Sequence, residues 1–335
     1  PRAQGGCRSK FNGPQPSKGH GARGIFIYRR SDELSPPVPR HRHAPPCGAT
    51  RNAKTLAPRA ARWHDAVSVN SCDHFILTRF NVPLQFDLPP GQRPPHLGID
   101  GGWLTRRFEL FECACLASVA RQTRQAFQWL VFLDEATPAG FQDRMKALAA
   151  AHPFLQPVYC SRFADDVVLP EIRRRETPGR LRITTRLDND DAIHPRLVEQ
   201  VQNLAHRHQA AQDLARGFFI GFPIGCCERQ GDFYLQRYRC NPFASFVSEQ
   251  ACERTVLGTD HRYVASVAPV VFHWDRPMWC QIIHGENVAN RLRGIYWAGG
   301  ARSALGPYAQ GRTRHSAIWK IREFIRSAYV YAFHR

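Results

Sequence analysis

The sequence predicts an α/β protein with a mainly parallel central sheet. Short β-rich runs alternate with helical patterns through the middle of the chain. Alternation of this kind is typical of right-handed βαβ crossovers, which build parallel sheets. After residue 216 the sequence becomes β-rich and aromatic. We therefore expect a smaller mixed C-terminal part that begins with a hairpin over residues 217–238.

The individual elements follow from hydrophobic periodicity. Strand-like runs lie at residues 74–82, 127–134, 154–160 and 183–185. Helical patterns lie at residues 104–119, 139–151, 163–175 and 194–210. The apolar face of the first helix consists of Leu104, Phe108, Phe111, Cys115 and Val119. Its other face is predicted to carry Arg106, Arg107, Glu109 and Glu112 to solvent.

Positive charge is concentrated at the two ends of the chain. The 335 residues include 46 Lys and Arg against 28 Asp and Glu, which gives a formal net charge of +18. Residues 1–70 carry 13 basic and three acidic side chains, and residues 301–335 carry seven basic and one acidic. A high net charge suggests binding to nucleic acid or to an anionic surface. Because the middle of the chain is nearly neutral, this suggestion applies to the ends.

Residues 1–70 are expected to be a disordered basic extension. They contain nine prolines and show no sustained apolar period, so they cannot bury enough apolar surface to offset the entropy of ordering. Two interpretations stay open. The extension is either a basic arm that binds nucleic acid or an over-extended gene start that is not an authentic part of the protein. We place the folded domain at residues 71–300.

Residues 301–335 are expected to form a linker and a basic amphipathic helix. Apolar side chains recur there at helical spacing, at Ile318, Ile321, Ile325, Ala328 and Ala332. Such a helix either lies on an anionic membrane or packs on the domain through its apolar face. The sequence contains no run of 18 apolar residues, so we expect no spanning helix.

Cysteine usage indicates a reducing compartment. The 11 cysteines are an odd number and form no C-x-x-C pair. Free cysteine commonly behaves as a small buried hydrophobe in such compartments. We therefore expect a cytoplasmic protein, with peripheral contact at the inner face of the membrane if the C-terminal helix binds lipid.

The chemical centre of the sequence is the acidic run DNDD at residues 188–191. It follows a β-branched strand, and open α/β sheets bind ligands beyond the carboxyl ends of their strands. Three carboxylates within four residues repel one another unless a cation compensates. Mg²⁺ and Mn²⁺ prefer oxygen ligands and bridge carboxylates to phosphates. The alternative is a helix N-cap with acids in the first turn, which explains Asp191 and at most one more of the three aspartates.

Several other classes of site have no sequence support. The chain lacks a P-loop, a G-x-G-x-x-G fingerprint and a G-x-S-x-G elbow. P-loop NTPases, Rossmann oxidoreductases and serine hydrolases are therefore disfavoured. Metal-dependent phosphohydrolases and nucleases use similar aspartates and remain rivals at this point.

Five short motifs follow one another along the chain. They are HFILTRFN at 74–81, WLVFLD at 129–134, ITTRLDNDD at 183–191, NPF at 241–243 with Ser248-Glu249, and PMW at 277–279 through HGEN at 284–287. In this order, over about residues 73–295, they resemble a bacterial rhamnosyltransferase family related to GT-A glycosyltransferases. This resemblance implies a GT-A-like nucleotide-diphospho-sugar transferase fold.

The resemblance also implies roles for the acidic residues. Asp188, Asp190 and Asp191 match the DxD-type motif that holds Mn²⁺ or Mg²⁺ against the donor diphosphate. Asp134 lies where this fold class binds the nucleobase or ribose, and its alternative role is to cap the turn at 135–138. Glu249 lies where related inverting enzymes carry a general base, although a solvated loop glutamate is the alternative.

Further side chains are assigned to the same site. His284 resembles a late histidine that some GT-A enzymes offer to the metal or diphosphate. Arg79 and Arg186 flank the strand ends, where guanidinium groups bind phosphate well. Trp274 and Trp279 are candidates for stacking on a sugar ring, with core packing as the alternative.

The sequence therefore predicts a metal-assisted glycosyltransferase. Its expected partners are a nucleotide-diphospho-sugar donor, in which the sugar is rhamnose if the family resemblance extends to the substrate, and a glycan or lipid-linked acceptor. Nucleic-acid binding through the basic termini and metal-dependent phosphate hydrolysis are the alternatives.

Overall fold

A computed structural model describes residues 72–83, 99–284, 292–298 and 315–333. The predicted extension at 1–70 and linker at 301–314 lie outside these ranges, so their expected structure stays a prediction.

The described residues form twelve strands. They are β1 (Cys72–Arg79), β2 (Gln128–Asp134), β3 (Leu155–Cys160), β4 (Leu181–Arg186), β5 (Ala192–Ile193), β6 (Phe218–Gly221), β7 (Ile224–Arg229), β8 (Asp232–Arg237), β9 (Ser245–Ser248), β10 (Val270–Phe272), β11 (Trp279–Ile282) and β12 (Ile295–Tyr296).

The helices of the same ranges are six. They are α1 (Gly101–Leu110), α2 (Ala139–Ala151), α3 (Asp165–Arg173), α4 (Leu197–His208), α5 (Val264–Val267) and α6 (Ala317–Phe333). Helix α1 runs on through a π-helical segment, Phe111–Leu116, and a last α-helical turn, Ala117–Val119.

Seven strands make the central sheet, in the order β10-β6-β9-β4-β1-β2-β3. The half from β4 to β3 is entirely parallel, with β1 between β4 and β2. Strand β9 is antiparallel to both of its neighbours, β4 and β6. The predicted fold class, α/β with a mainly parallel central sheet, is confirmed.

Helix α1 packs on the central sheet through the predicted apolar face. Asp100 caps its first turn, accepting a hydrogen bond from the Trp103 amide at 2.7 Å. Phe108 packs against Phe80 beyond β1, with ring centroids 4.6 Å apart, and all five predicted apolar side chains are fully buried. The predicted polar face is wrong at Arg107, which is also buried, with 6% exposure.

The smaller second sheet has the order β12-β8-β7-β11-β5. The predicted single hairpin over residues 217–238 is wrong, because β6 joins the central sheet and only β7 and β8 form a hairpin. Within the second sheet, the indole of Trp279 on β11 packs directly over Gly225 on β7. A Cβ at this position would lie 2.2 Å from the indole of Trp279, so only glycine fits.

Helix α6 packs on the second sheet with the face opposite to the predicted one. Glu323 and Ser327 are buried, and they bond to the Tyr234 hydroxyl at 3.0 Å and to the Tyr296 amide at 2.8 Å. The isoleucine stripe of the helix is exposed: 68% at Ile318, 60% at Ile321 and 61% at Ile325. Packing through the apolar face, one of the two alternatives, is therefore wrong.

The nine cysteines of the described ranges form no disulfide. Within the same ranges, every helix is too short or too polar to cross a bilayer.

Candidate functional site

The acidic segment leaves β4 at the carboxyl edge of the central sheet. Leu187 still bonds to β1, with its amide 3.1 Å from the Leu77 carbonyl, and the chain then turns so that the Asp191 amide donates to the Asp188 carbonyl at 3.2 Å. The three carboxyl groups differ in environment. Asp188 is partly exposed, Asp190 is 9% exposed and Asp191 is fully buried.

Asp190 is held by two cationic or proton-donating groups. Its Oδ2 accepts a hydrogen bond from Arg107 Nη1 at 2.7 Å and lies 2.9 Å from Nε2 of His284. Burial alone would raise the pKa of Asp190, but the hydrogen bond with His284 and the charge of Arg107 outweigh it, so the pKa is lowered. The sequence resemblance had grouped His284 with the acidic motif, and the structure brings the two together.

Arg107 is buried beside the acidic motif, although the sequence pattern had placed it on the solvent face of α1. Its guanidinium also donates to Asn189 Oδ1 at 3.2 Å and lies over the Trp103 ring, 4.8 Å from the centroid. A signal was present, because Arg107 stands three residues after Leu104 and four before Phe111, inside the apolar stripe of α1. A charged residue at such a position requires a buried partner.

Asp191 anchors the second sheet to the acidic segment. Its Oδ1 accepts a hydrogen bond from the Ile282 amide of β11 at 3.0 Å. Its Oδ2 is buried and has no hydrogen-bond partner within the described part of the chain. Burial and the neighbouring charges of Asp190 and Asp188 raise the pKa of Asp191 well above its usual value. The N-cap alternative is wrong for Asp191, because α4 begins at Leu197, beyond β5.

Asp188 pairs with an arginine at the mouth of the site. Arg186 Nε and Nη2 both lie 3.2 Å from Asp188 Oδ1, and the charge of Asp188 raises the pKa of Arg186. Arg79 belongs to the same electrostatic group: burial lowers its pKa, and the charge of Asp188 opposes that shift. Arg79 donates one hydrogen bond to the Val82 carbonyl at 2.8 Å. Two predicted phosphate-binding arginines therefore lie beside the acidic motif.

In this arrangement the acidic side chains do not form a metal site. Among the described residues, no group of three or more His, Cys, Asp or Glu side chains is placed to hold a metal ion. At Asp190, Arg107 and His284 both contact Oδ2, one of the two carboxylate oxygens that could bind an ion. The predicted roles of Asp188, Asp190, Asp191 and His284 as metal ligands stay a prediction.

Asp134 takes the turn-capping role that was its alternative. Its Oδ1 accepts a hydrogen bond from the Ala136 amide at 2.7 Å, and its carbonyl accepts one from the Thr137 hydroxyl at 2.6 Å. The Asp134 amide donates to Asn81 Oδ1 at 3.0 Å, so this turn is tied to the end of β1. Its predicted contact with a nucleobase or ribose remains untested.

Glu249 lies beside the start of β4, at the end of the strand opposite to the acidic segment. Ser248, the last residue of β9, pairs in register with Arg182 near the start of β4. Six residues of extended chain, roughly 20 Å at about 3.3 Å per residue, separate Arg182 from Asp188. The Glu249 side chain is exposed in a loop there. The antiparallel direction of β9 thus separates Glu249 from the other predicted site residues.

A cavity of about 360 Å³ opens beside the acidic motif. Its lining includes Arg186 at the end of β4 and Asp188 just after it, Asp260 and His261 at the start of the 3₁₀ turn His261–Tyr263, and Tyr238. The Tyr238 hydroxyl lies 3.0 Å from His261 Nε2, and Asp260 accepts a hydrogen bond from Arg262 at 2.8 Å. The sequence analysis did not find Asp260, His261 or Tyr238, because no periodicity or motif marks a loop that only tertiary packing brings to this edge.

The two candidate tryptophans have different positions. Trp279 is fully buried, stacks on Phe243 with centroids 5.0 Å apart, and donates its indole hydrogen bond to the Phe222 carbonyl at 2.7 Å. Its role is core packing. Trp274 is 43% exposed, and Arg237 lies 4.3 Å above its ring.

Carboxylates and arginines face one cavity beyond the carboxyl end of β4, which is where open α/β sheets bind ligands. The family model described as "Putative rhamnosyl transferase" matches residues 96–295 of the sequence. The chain belongs to this family, which is one of transferases. No curated protein matches the sequence.

Distant likenesses to solved structures were also found. TarS 1–349 from S. aureus in complex with UDP-GlcNAc is 10% identical, with a TM-score of 0.38 over 64% of this chain and 60% of that one. The same protein in complex with UDP is 11% identical, with a TM-score of 0.36 over 63% and 60%. The 4-diphosphocytidyl-2C-methyl-D-erythritol synthase of Anaerococcus prevotii DSM 20548 is 11% identical, with a TM-score of 0.30 over 78% and 97%. The match thus spans about 60% of the TarS chains.

Proposed function

We propose that this protein is a glycosyltransferase that moves a sugar from a nucleotide-diphosphate donor to a glycan or lipid-linked acceptor. Family membership supports transferase chemistry. The observation that carries the proposal is the convergence of Arg186, Asp188 and Arg79 at the carboxyl end of β4, beside a cavity. Rhamnose is the sugar that the family description suggests, and it is proposed on that ground alone.

Sugar transfer from such a donor requires positive charge beside the leaving diphosphate. When the bond between sugar and diphosphate breaks, negative charge grows on the leaving oxygens, and fixed cations stabilise it. Arg186, Arg262 and Arg293 line the cavity, and guanidinium groups match phosphate geometry. The arginines of this chain are therefore proposed to bind the donor diphosphate, with Arg107 and His284 fixing the acidic segment behind them.

A divalent cation at Asp188, Asp190 and Asp191 remains a prediction from the family resemblance. In the structure Arg107 and His284 both contact Oδ2 of Asp190, so an ion at that oxygen would compete with them. When bound, such an ion would supply additional positive charge at the diphosphate.

Removal of the acceptor proton is assigned to His261. Burial lowers the pKa of His261 against the opposing charge of Asp260, so the ring is neutral near pH 7 and can accept a proton. Its ring lines the cavity, with Nδ1 buried 3.5 Å from Asp260 and Nε2 3.0 Å from the Tyr238 hydroxyl, so this hydroxyl has to turn away before Nε2 accepts the proton. Substitution His261→Asn is expected to lower kcat about 100-fold or more while donor affinity is kept. Unchanged kcat in this variant would remove the assignment.

A panel of UDP-, dTDP- and GDP-linked sugars, each with and without Mn²⁺, tests the main proposal. A bound donor raises the melting temperature, and transfer to a glycan acceptor is followed by release of the nucleotide diphosphate. Arg186→Gln is expected to weaken donor binding about tenfold or more, because it removes charge-assisted hydrogen bonds. Arg207→Gln, on the exposed side of α4, is the matched control.

Two outcomes would overturn the glycosyltransferase proposal. One is that no nucleotide sugar stabilises the protein or serves as a donor. The other is hydrolysis of simple phosphate esters without sugar transfer, which would favour the phosphohydrolase alternative.

We also propose that α6 holds the protein on the inner, cytoplasmic face of an anionic membrane. Ile318, Ile321, Ile325 and Tyr329 form an exposed apolar stripe, while the opposite face is fixed to the second sheet. Lys320 and Arg322 are exposed on the same helix and complement anionic lipid headgroups.

Cosedimentation with phosphatidylglycerol vesicles, compared with phosphatidylcholine vesicles, tests this surface. Ile321→Ser/Ile325→Ser is expected to abolish binding to the anionic vesicles. Ile99→Ser, at another exposed isoleucine, is the control and is expected to bind like the unchanged protein. Equal binding by both variants contradicts the proposal, and so does a dimer that the double substitution dissociates in the absence of lipid.

A further inference from the structure

A second, larger cavity lies between the second sheet and α6. Its volume is about 600 Å³, within the range of roughly 300–1,000 Å³ that small-molecule sites occupy. Strand β8 forms one wall and α6 another. The Arg237 amide donates to the Tyr331 hydroxyl at 2.9 Å, which fastens the C-terminal end of the helix to the strand. The cavity therefore exists because α6 is docked.

Among the described residues, the charged side chains that line this cavity are all arginines: Arg229, Arg237, Arg293 and Arg326. Arg326 is paired with the buried Glu323, at 2.5 Å, and Arg237 lies over the Trp274 ring. Arg229 and Arg293 have no ion pair with any residue in the described ranges, whereas most arginines at the acidic motif do. Arginines that outnumber the acids beside them are stabilised when an anionic ligand binds between them.

The two cavities are neighbours. Gln236, Tyr238 and Arg293 line both, so a ligand in the larger cavity reaches the wall of the smaller one. Gln236 also donates to Gln281 Oε1 at 3.3 Å, and Gln281 lines the cavity beside Asp188. His261, the proposed proton acceptor, contacts Tyr238 in the shared wall.

The remaining lining suits a sugar. Tyr234, Tyr238 and Tyr331 present aromatic surface together with hydroxyl groups, and such side chains combine apolar contact with hydrogen bonding. The cavity therefore offers polar aromatic walls for a sugar ring and arginines for an anionic substituent.

We infer that the larger cavity binds the acceptor, and that this acceptor carries an anionic group, a phosphate or a carboxylate, on its sugar. The inference rests on the proposed function, since it assigns the acceptor side of that same transfer. The arginine-lined cavity holds the anionic group, and the shared wall turns the reacting hydroxyl toward the donor cavity.

The test measures binding of three probes to the full chain: glucose 1-phosphate, glucuronate and glucose. Each is titrated by calorimetry in the presence of a saturating nucleotide diphosphate, which blocks the donor cavity. We expect one of the charged probes to bind at least tenfold more tightly than glucose, and the probe that does so identifies phosphate or carboxylate as the recognised group. Its affinity is expected to fall steeply with added salt.

Arg229→Gln/Arg237→Gln is expected to weaken the charged probe at least tenfold and to leave glucose and nucleotide binding unchanged. Arg207→Gln/Arg216→Gln, which removes two charges at exposed positions outside both cavities, is the charge-matched control. Val330→Trp narrows the same cavity from α6 without changing charge and is expected to weaken the binding of all three probes. It replaces the double variant in the test if that variant fails to fold.

Equal binding of the charged and neutral probes overturns the inference. So does competition between the charged probe and the nucleotide, because the probe would then occupy the donor cavity. If nucleotide binds but no charged probe does, the acceptor assignment fails alone. If no nucleotide binds either, the proposed function fails with it.

Discussion

Two buried arginine–carboxylate pairs lie at opposite ends of β4, and they differ in how completely each arginine is satisfied. Arg182, near the start of the strand, donates two hydrogen bonds to Glu176, at 2.5 and 3.0 Å, and one each to the carbonyls of Cys252 and Gln250, both at 2.7 Å. Arg107, beyond the other end, donates to Asp190 and Asn189, while its Nε has no acceptor in the described ranges.

The difference separates a structural pair from a site pair. A buried charge contributes to the fold only when its partners compensate for lost hydration, and Arg182 makes four hydrogen bonds to such partners. Arg107 is incompletely satisfied and holds the acidic segment that the proposed donor faces. We expect removal of Arg182 to affect stability and removal of Arg107 to affect the reaction.

The largest expected effect is the loss of stability in Arg182→Met. Removing one partner leaves Glu176 buried and unpaired, at a cost of about 3–5 kcal/mol in the free energy of unfolding. Urea denaturation measures it. Arg182→Met/Glu176→Leu removes both charges and is expected to recover most of the loss. A double variant as unstable as the single one would show that the carbonyl contacts of Arg182, and not its ion pair, are the main contribution.

Arg107→Met is expected to lower kcat about 100-fold with a smaller change in KM, because a displaced acidic segment misplaces the donor. Its stability loss should be smaller than that of Arg182→Met, since His284 still contacts Asp190. Steady-state kinetics on the folded fraction measures both parameters. Arg107→Lys keeps the charge and is expected to restore part of kcat. The contrast between the two pairs breaks down if Arg107→Met loses as much stability as Arg182→Met and keeps full activity.

Arg107→Met also tests the predicted metal site. With the guanidinium gone, an oxygen of Asp190 becomes available, so Mn²⁺ is expected to bind about tenfold more tightly to the variant than to the unchanged protein. Electron paramagnetic resonance of free Mn²⁺ measures the difference without any turnover. If the unchanged protein already binds Mn²⁺ tightly and Arg107→Met does not improve it, Arg107 does not compete with the ion.

The smallest expected effect concerns pH, at a buried histidine of β1. Burial lowers the pKa of His74 to about 3, from 6.5 in the unfolded chain, so the unfolded state binds a proton below pH 6.5 that the folded state does not. Its share of stability is complete above pH 6.5 and is lost as the pH falls toward 3, by about 1 kcal/mol between pH 7 and 5.5. Denaturation at both pH values measures this loss of stability. In His74→Gln the loss between pH 7 and 5.5 is expected to be smaller by about 1 kcal/mol. An unchanged loss in His74→Gln would assign the acid sensitivity to other groups.

Much of the first half of the fold could be predicted from the sequence, because local patterns there agree with the final packing. Helix α2 was predicted at its observed bounds, and the five apolar side chains of α1 are all buried. The failures occur where long-range pairing overrides the local pattern. Strand β6 reads as part of a hairpin with β7 but pairs with β9, which comes much later in the chain.

The candidate site also has a part that could be predicted from the sequence and a part that could not. Arg186 and Asp188 were predicted together because they are neighbours in sequence at a strand end. Glu249 was placed with them by resemblance, but the direction of β9 takes it beside the start of β4, at the opposite end of that strand. His261 and Tyr238 could not be found, since they come from irregular segments whose meeting depends on the second sheet.

The sequence by itself determined the α/β class, the acidic segment at a strand end and the near-neutral middle of the chain, since periodicity and charge are local properties. Only the tertiary structure decided which cation faces each carboxylate, which face of α6 is exposed, and that two cavities share a wall. The physical reason is that burial and electrostatic partnership depend on distances between segments far apart in the chain. Arg107 and Asp190, 83 residues apart, became one ion pair through packing of α1 on the sheet.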